Sequence, residues 1–182
     1  MPPDRSSFIT TAAGRLWLRE KNRYMQKFKE PCAGNDYLGE HAELILSSLF
    51  RLTGRHLVDP ERSSKDRYRS LFEAPFCVVS HNTESDPIFN YGNQVALALF
   101  EMQWDDFTRL PSRLSAEKQI REEREKLLER VTQYGFIEDY KGVRVSSSGK
   151  RFLVEDAIVW NMIDENGVYC GQAAVLFKWS KL

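Results

Sequence analysis

The chain has 182 residues, with 26 Lys plus Arg against 26 Asp plus Glu and a formal net charge of zero, so no overall field draws it onto nucleic acid or an acidic membrane. Apolar residues make up 42% and aromatic residues 12%, enough for a core that excludes global disorder. No apolar run approaches the ~18 residues of a membrane span, and three scattered cysteines (Cys32, Cys77 and Cys170) with no CxxC pair exclude a disulfide framework and speak against structural zinc.

Residues 1–38 have no sustained period and are interrupted by Pro2, Pro3, Pro31, Gly34 and Asn35. The basic residues Arg5, Arg15, Arg19, Lys21, Arg23, Lys27 and Lys29 outnumber Asp4, Glu20 and Glu30 there. The segment reads as a basic, mobile tail with room for a short helix at 11–28. A reducing cytoplasmic setting follows from the cysteine usage. The alternative is an organelle, with the tail as a transit peptide.

Residues 39–53 place Ala42, Ile45, Leu46, Leu49 and Phe50 at three- and four-residue steps, the pattern of an amphipathic helix. Gly54 is its expected stop. His41 and His56 flank it without an evident partner. Residues 59–70 are charged and polar, suited to a connector or short exposed helix.

From residue 71 the texture becomes that of a sheet. Residues 76–80 and 87–92 form the arms of a hairpin around the polar loop 81–86. Asn93 is placed to cap a short apolar helix through Phe100. A second short helix begins at Trp104 and stops by Pro111. Ser115 is the expected cap of a long helix over 116–134, with Ile120, Leu127, Leu128, Val131 and Tyr134 on one face and Gly135 as its end. Three strands follow, at 136–146, 151–163 and 168–178. On the middle strand Phe152, Val154, Ile158, Trp160 and Met162 share one face by alternation, with Asp156 as the odd residue among them.

Two strands alone make no stable sheet, so the hairpin joins the last three strands. The expected class is α+β: a five-stranded antiparallel sheet with helices on one face, preceded by an amphipathic helix. That order is the PAS order. The stretches LFEAPFCVVSHNTESDPIFNYGN, LPSRLSAE and VSSSGKRF…VWNMIDENGVYCGQAA further resemble the MEKHLA family of PAS-like domains, over about residues 39–182. The plant members of that family carry a homeodomain and a leucine zipper. Neither is visible here, so their DNA binding is not carried over.

The chain divides into a tail at 1–38, outside the resemblance, and a helix and connector at 39–70, and the resemblance implies a PAS-like domain at 71–182. It implies a sensory module in signal transduction that binds a small ligand or a protein partner, without catalysis. A homodimer through the N-terminal helix or the outer sheet face is one such partnership. In a PAS sheet the strands of Cys77 and Cys170 are neighbours, so a redox pair is conceivable beside the stronger reading of two inert thiols. The aromatic residues Phe89, Tyr91, Phe107 and Trp160 are candidates to line a pocket, and equally candidates for plain core. His81, Glu84 and Asp86 form the densest polar group, a candidate catalytic or cofactor-carrying loop. Turn bonds to backbone are the stronger expectation for them, and no metal is implied. Any cofactor is unspecified. Covalent flavin is disfavoured because no cysteine follows the short helices, and His-ligated haem because 116–134 holds no histidine.

Overall fold

A computed structural model describes residues 29–182. The short helix read at 11–28 lies outside them, as does most of the basic tail. Helix α1 is Gly39–Thr53, and Gly54 ends it in the left-handed region at φ 71° with its N–H on the Phe50 carbonyl. Helix α2, Ser64–Phe72, opens on Ser63, whose hydroxyl accepts from the Asp66 amide. The connector is therefore a helix, and it crosses residue 71 to bury Leu71 and Phe72. Strands β1 (Cys77–His81) and β2 (Phe89–Gly92) form the hairpin. Helices α3 (Gln94–Phe100) and α4 (Trp104–Phe107) follow, then a tight turn over Ser112–Ser115 and the long helix α5, Lys118–Tyr134. The chain closes with β3 (Phe136–Ile137), β4 (Gly142–Val145), β5 (Arg151–Ile163) and β6 (Tyr169–Lys181).

The sheet is antiparallel in the order β2-β1-β6-β5-β3, with β4 also paired to β5. It has six strands because the segment read as one strand at 136–146 breaks at Asp139, a non-glycine at φ 55°. Ser115 does not cap α5. Its hydroxyl donates to the Ser112 carbonyl, and the chain stays extended at Ala116, which bridges to Arg144 before the helix begins.

Helices cover both faces of the sheet. Cys77, Val79, Phe89, Val154, Val159 and Leu176 point to the inner face, under α3, α4 and α5. Val78, Tyr91, Ile158, Trp160, Met162 and Val175 point to the outer face, where Ala42, Ile45 and Leu49 of α1 meet them. Burying each such aliphatic side chain contributes about 1.5–3 kcal/mol. The indole N–H of Trp160 donates to the buried Ser48 hydroxyl at 3.0 Å, which fixes α1 against β5. His41 also has a partner: its Nε2 lies 2.8 Å from Ser80 Oγ, and that hydroxyl donates to Asn90 Oδ1. The apolar side of α1 and the outer sheet face are thus used against each other within one chain. The other side of α1 stays at the surface, with Phe50 45% exposed.

Alternation along β5 also differs from the expectation. Phe152 and Val154 face inward, while Ile158, Trp160 and Met162 face outward. The register against β6 shifts on both sides of Asp156 in opposite senses: Glu155 on β5 and Phe177 on β6 are each left out of the pairing, so both strands carry one extra residue and both reverse their alternation there. Asp156 is exposed there, not an intruder in an apolar face. Tyr134, read as part of the buried face of α5, is 67% exposed at the helix end.

Two polar centres join the parts. Asn93 is fully buried, and its Oδ1 accepts from the Ala96 and Val78 amides at 3.0 Å each. Its Nδ2 donates to the carbonyls of Phe76 at 2.7 Å and Leu71 at 3.4 Å. Glu101, just past α3, receives Lys150 Nζ and the hydroxyls of Ser146 and Ser148 from the β4–β5 turn. Those bonds, Lys150 first, pull its carboxyl down to about 2 from the usual 4.5.

Asn93→Ala removes a cap and strands four backbone groups, so it should cost about 3–5 kcal/mol in urea unfolding. Asn93→Asp, which keeps the acceptor but turns a carboxylate onto two carbonyls, should not restore it. Glu101 binds its proton less readily when folded, so its contribution is full above about pH 4.5 and is lost as the pH falls through about 2. The gap in unfolding midpoint between wild type and Glu101→Gln should accordingly be constant near neutrality and close over that interval.

Candidate functional site

The inner face is not completely filled. Between the sheet and α5 lies a cavity of about 50 Å³, room for a few water molecules. Val79, Phe89, Leu127, Leu128, Val154 and Leu176 supply much of its apolar wall. Polar residues also line it, Ser80, His81, Ser115, Tyr140, Arg144 and Gln172 among them, and Gln172 and Arg144 each carry an unpaired atom. Gln172, 2% exposed on β6, donates Nε2 to the Leu128 carbonyl and to Thr132 Oγ1, both at 3.0 Å. Its Oε1 is buried without a hydrogen-bond partner. Arg144 on β4 donates Nη2 to the Tyr140 hydroxyl at 2.6 Å, with its guanidinium 5.3 Å from the centre of that ring. Its Nη1 is buried and likewise unpaired.

Local structure accounts for these positions. Ala116 bridges to Arg144, and the Tyr140 amide donates to the Ala157 carbonyl, so β4 and the turn before it lie against β5. Gln172 stands opposite His81 on one side and Asn161 on the other. Asn161 adds a second tie to α5, with Nδ2 on the Val131 carbonyl at 2.8 Å. At Gly171, φ is 116° and a Cβ would collide with the His81 carbonyl, so only glycine lets β6 pass β1 there. His81, Leu128 and Gln172 also line a groove of about 500 Å³ outside, between α5 and the β1–β2 loop. They are a shared wall between cavity and groove.

The residues singled out from sequence are dispersed. Phe89 and Phe107 lie on the inner face, stacked at 4.5 Å, and only Phe89 touches the cavity. Gly92 makes room for the Phe107 ring, which a Cβ would approach to 2.7 Å. Tyr91 and Trp160 are on the outer face, so the four aromatics do not line one pocket. His81 has Nδ1 at 2.9 Å from the Asn82 carbonyl, which can only accept. Glu84 receives Asn82 Nδ2 within its own loop. Asp86 holds Arg113 through both carboxylate oxygens, at 2.9 and 3.1 Å. The polar loop residues therefore do not converge, and no group of three metal-ligating side chains occurs among the described residues. Cys77 stands opposite Leu176, six residues along β6 from Cys170, about 20 Å at the rise of a strand. No disulfide spans that distance without rebuilding the sheet. Burial pushes the Cys77 thiol far up.

The MEKHLA domain description matches residues 39–181. The chain belongs to the MEKHLA domain family. No curated protein matches it. Among solved structures, the PAS domain of a protein from Colwellia psychrerythraea is similar at TM-score 0.55 and 12% identity, over 65% of this chain and 95% of that one. A point variant of the fungal blue-light photoreceptor Vivid is similar at TM-score 0.51 and 13% identity, over 74% of this chain and 99% of that one. These likenesses establish the PAS fold. No helix among the described residues is long and apolar enough to cross a membrane.

Neither a flavin ring system nor a haem fits the MEKHLA cavity as its side chains stand, and no cysteine lines it. Arg144, Tyr140 and Gln172 were not singled out from sequence. An arginine between Val143 and Val145 reads as the outward residue of an alternating strand, and only the fold turns it inward.

In the folded protein, alkylation followed by peptide mass mapping should label Cys32 and Cys170 and spare Cys77, which reacts only after unfolding. Oxidation should yield no Cys77–Cys170 disulfide. Recovery of that linkage would reinstate a redox pair.

Proposed function

We propose that this MEKHLA domain is a non-enzymatic sensory module that binds a small ligand in the inner-face cavity and responds by moving α5. The observation that carries this reading is the pair of buried, unpaired polar atoms at the cavity, Gln172 Oε1 and Arg144 Nη1. Each such atom costs about 1–3 kcal/mol while unpaired, and a ligand offering partners would recover that cost.

The cavity is far below the ~300–1,000 Å³ of ordinary ligand sites, so a ligand has to widen it. Helix α5 is the wall best able to yield. Val131 is its one fully buried apolar side chain among those described. Its polar ties come from Gln172 and Asn161, on the strands beneath. Pressure on Leu127 and Leu128 would rearrange those ties, and a displaced α5 would present a changed surface to a partner or a second copy. Light-state Vivid is a dimer; for this chain, association is a readout to test with ligand present and absent. Three free cysteines favour a reducing, cytoplasmic setting. Catalysis from His81, Glu84 and Asp86 has little support, because their partners separate them.

Ala174 is half-buried on β6 and lines the cavity. Ala174→Leu should fill the space, keep the circular dichroism of the wild type, and abolish ligand-induced changes in thermal midpoint across a panel of small organic compounds. Binding that survives the substitution would place the site elsewhere.

A further inference from the structure

We infer that the cavity selects a slender carboxylic acid, with its carboxylate at Arg144 and a hydrogen-bond donor at its other end for Gln172. This rests on the reading of the cavity as a ligand site and goes further by naming the chemistry it recognises.

The Arg144 end is a cation in search of an anion. Among the described residues no carboxylate lies within ion-pair distance of it. The nearby acids are engaged elsewhere: Glu101 with Lys150, and Glu117 with Arg151. Its guanidinium is nonetheless held in place by the Tyr140 hydroxyl and ring. That hydroxyl accepts from Nη2 and keeps its own hydrogen to donate. Arg144 Nη1–H and Tyr140 O–H are thus two donors side by side, matched to the two oxygens of a carboxylate. A phosphate would arrive with more charge and more acceptors than these two donors can satisfy, in a wall that is mostly apolar.

The Gln172 end asks for the opposite. Its Oε1 is an acceptor only, buried and unpaired, while its Nε2 is already committed to α5. A hydroxyl or N–H on the ligand would satisfy it; a second carboxylate would not. The two ends are well separated. Arg144 pairs with Phe152 on β5, whereas Gln172 pairs with Asn161, near the other end of that strand. Apolar side chains line the space between, including Leu127, Val154 and Val159. The matching molecule has an acid head, an apolar middle and a donor tail. Its route in is the outer groove, through the wall of His81, Leu128 and Gln172 shared with the cavity.

The test compares ω-hydroxyalkanoates from 6-hydroxyhexanoate up to twelve carbons with their amides and with the matching alkanoates, hexanoate upward, by ligand-observed NMR and titration calorimetry on the full chain. The hydroxy acid should bind at least about tenfold more tightly than the amide, the difference made by hydrogen bonds to a charged group. Loss of the terminal hydroxyl in hexanoate should weaken binding about threefold or more. Arg144→Gln should erase the preference for acid over amide while still binding the amide, and Arg144→Lys should restore part of it. Equal binding of acid and amide, or a preference that persists in Arg144→Gln, overturns the carboxylate assignment. In that case, binding of the neutral compounds that Ala174→Leu abolishes would leave the cavity standing as a ligand site. If no homologue of either class binds and Ala174→Leu only raises stability, the cavity is a packing void and both readings fall.

Discussion

Asn93 occupies a point where three chain segments would each leave backbone groups unpaired. Helix α3 has an orphan amide in its first turn, β1 starts with an amide at Val78 that lacks a strand partner, and the carbonyls of Leu71 and Phe76 end the approach from α2. One carboxamide satisfies all of them, because it offers two lone pairs and two hydrogens in a fixed plane. Its own amide completes the set on the Val78 carbonyl. The angle at which α3 leaves β2 is set there, and with it the placement of Phe100 and Phe107 against Phe89. The inner-face wall therefore takes its shape from a polar residue with no exposed surface.

The two faces of the sheet are finished differently. Outside, α1 is packed by fully buried Ala42, Ile45 and Leu49 and fastened by the Ser48–Trp160 hydrogen bond. Inside, the described side chains of α5 include few buried apolar groups, and side-chain amides reach up to it from β5 and β6. Apolar burial resists displacement over its whole area, whereas amide ties can be exchanged for others one at a time. A MEKHLA domain built this way has a stiff side and a yielding side, and the cavity lies on the yielding one. Trp160 and Val159 are consecutive, so the stiff wall and the cavity wall also share a backbone.

Much of this was legible where the cause is local. Gly54 and Gly135 end their helices, Asn93 caps α3, and the turn at 164–167 closes as its composition demands, because each depends on a residue and its near neighbours. The PAS order followed from the succession of such elements. Long-range register was not legible. The separation of Cys77 from Cys170 depends on which residues of β1 and β6 stand opposite each other. The division of Tyr91 and Trp160 from Phe89 and Phe107 depends on which face each strand shows to which helix. Arg144 was missed for the same reason: its inward aim is decided by the Ala116 bridge and by Tyr140, both outside its own strand.

The bulge at Asp156 has a bearing on how such a chain can change over evolutionary time. Point substitutions along β5 are absorbed one side chain at a time. Loss of that single residue would instead be a frame change in the side-chain sense. Beyond it β5 would no longer match β6, which carries its own extra residue at Phe177, and Ile158, Trp160 and Met162 would turn to the cavity with Val159 and Asn161 toward α1. Length in this stretch is therefore under a tighter constraint than identity, on β5 and β6 together, even though the side chain of Asp156 itself is exposed.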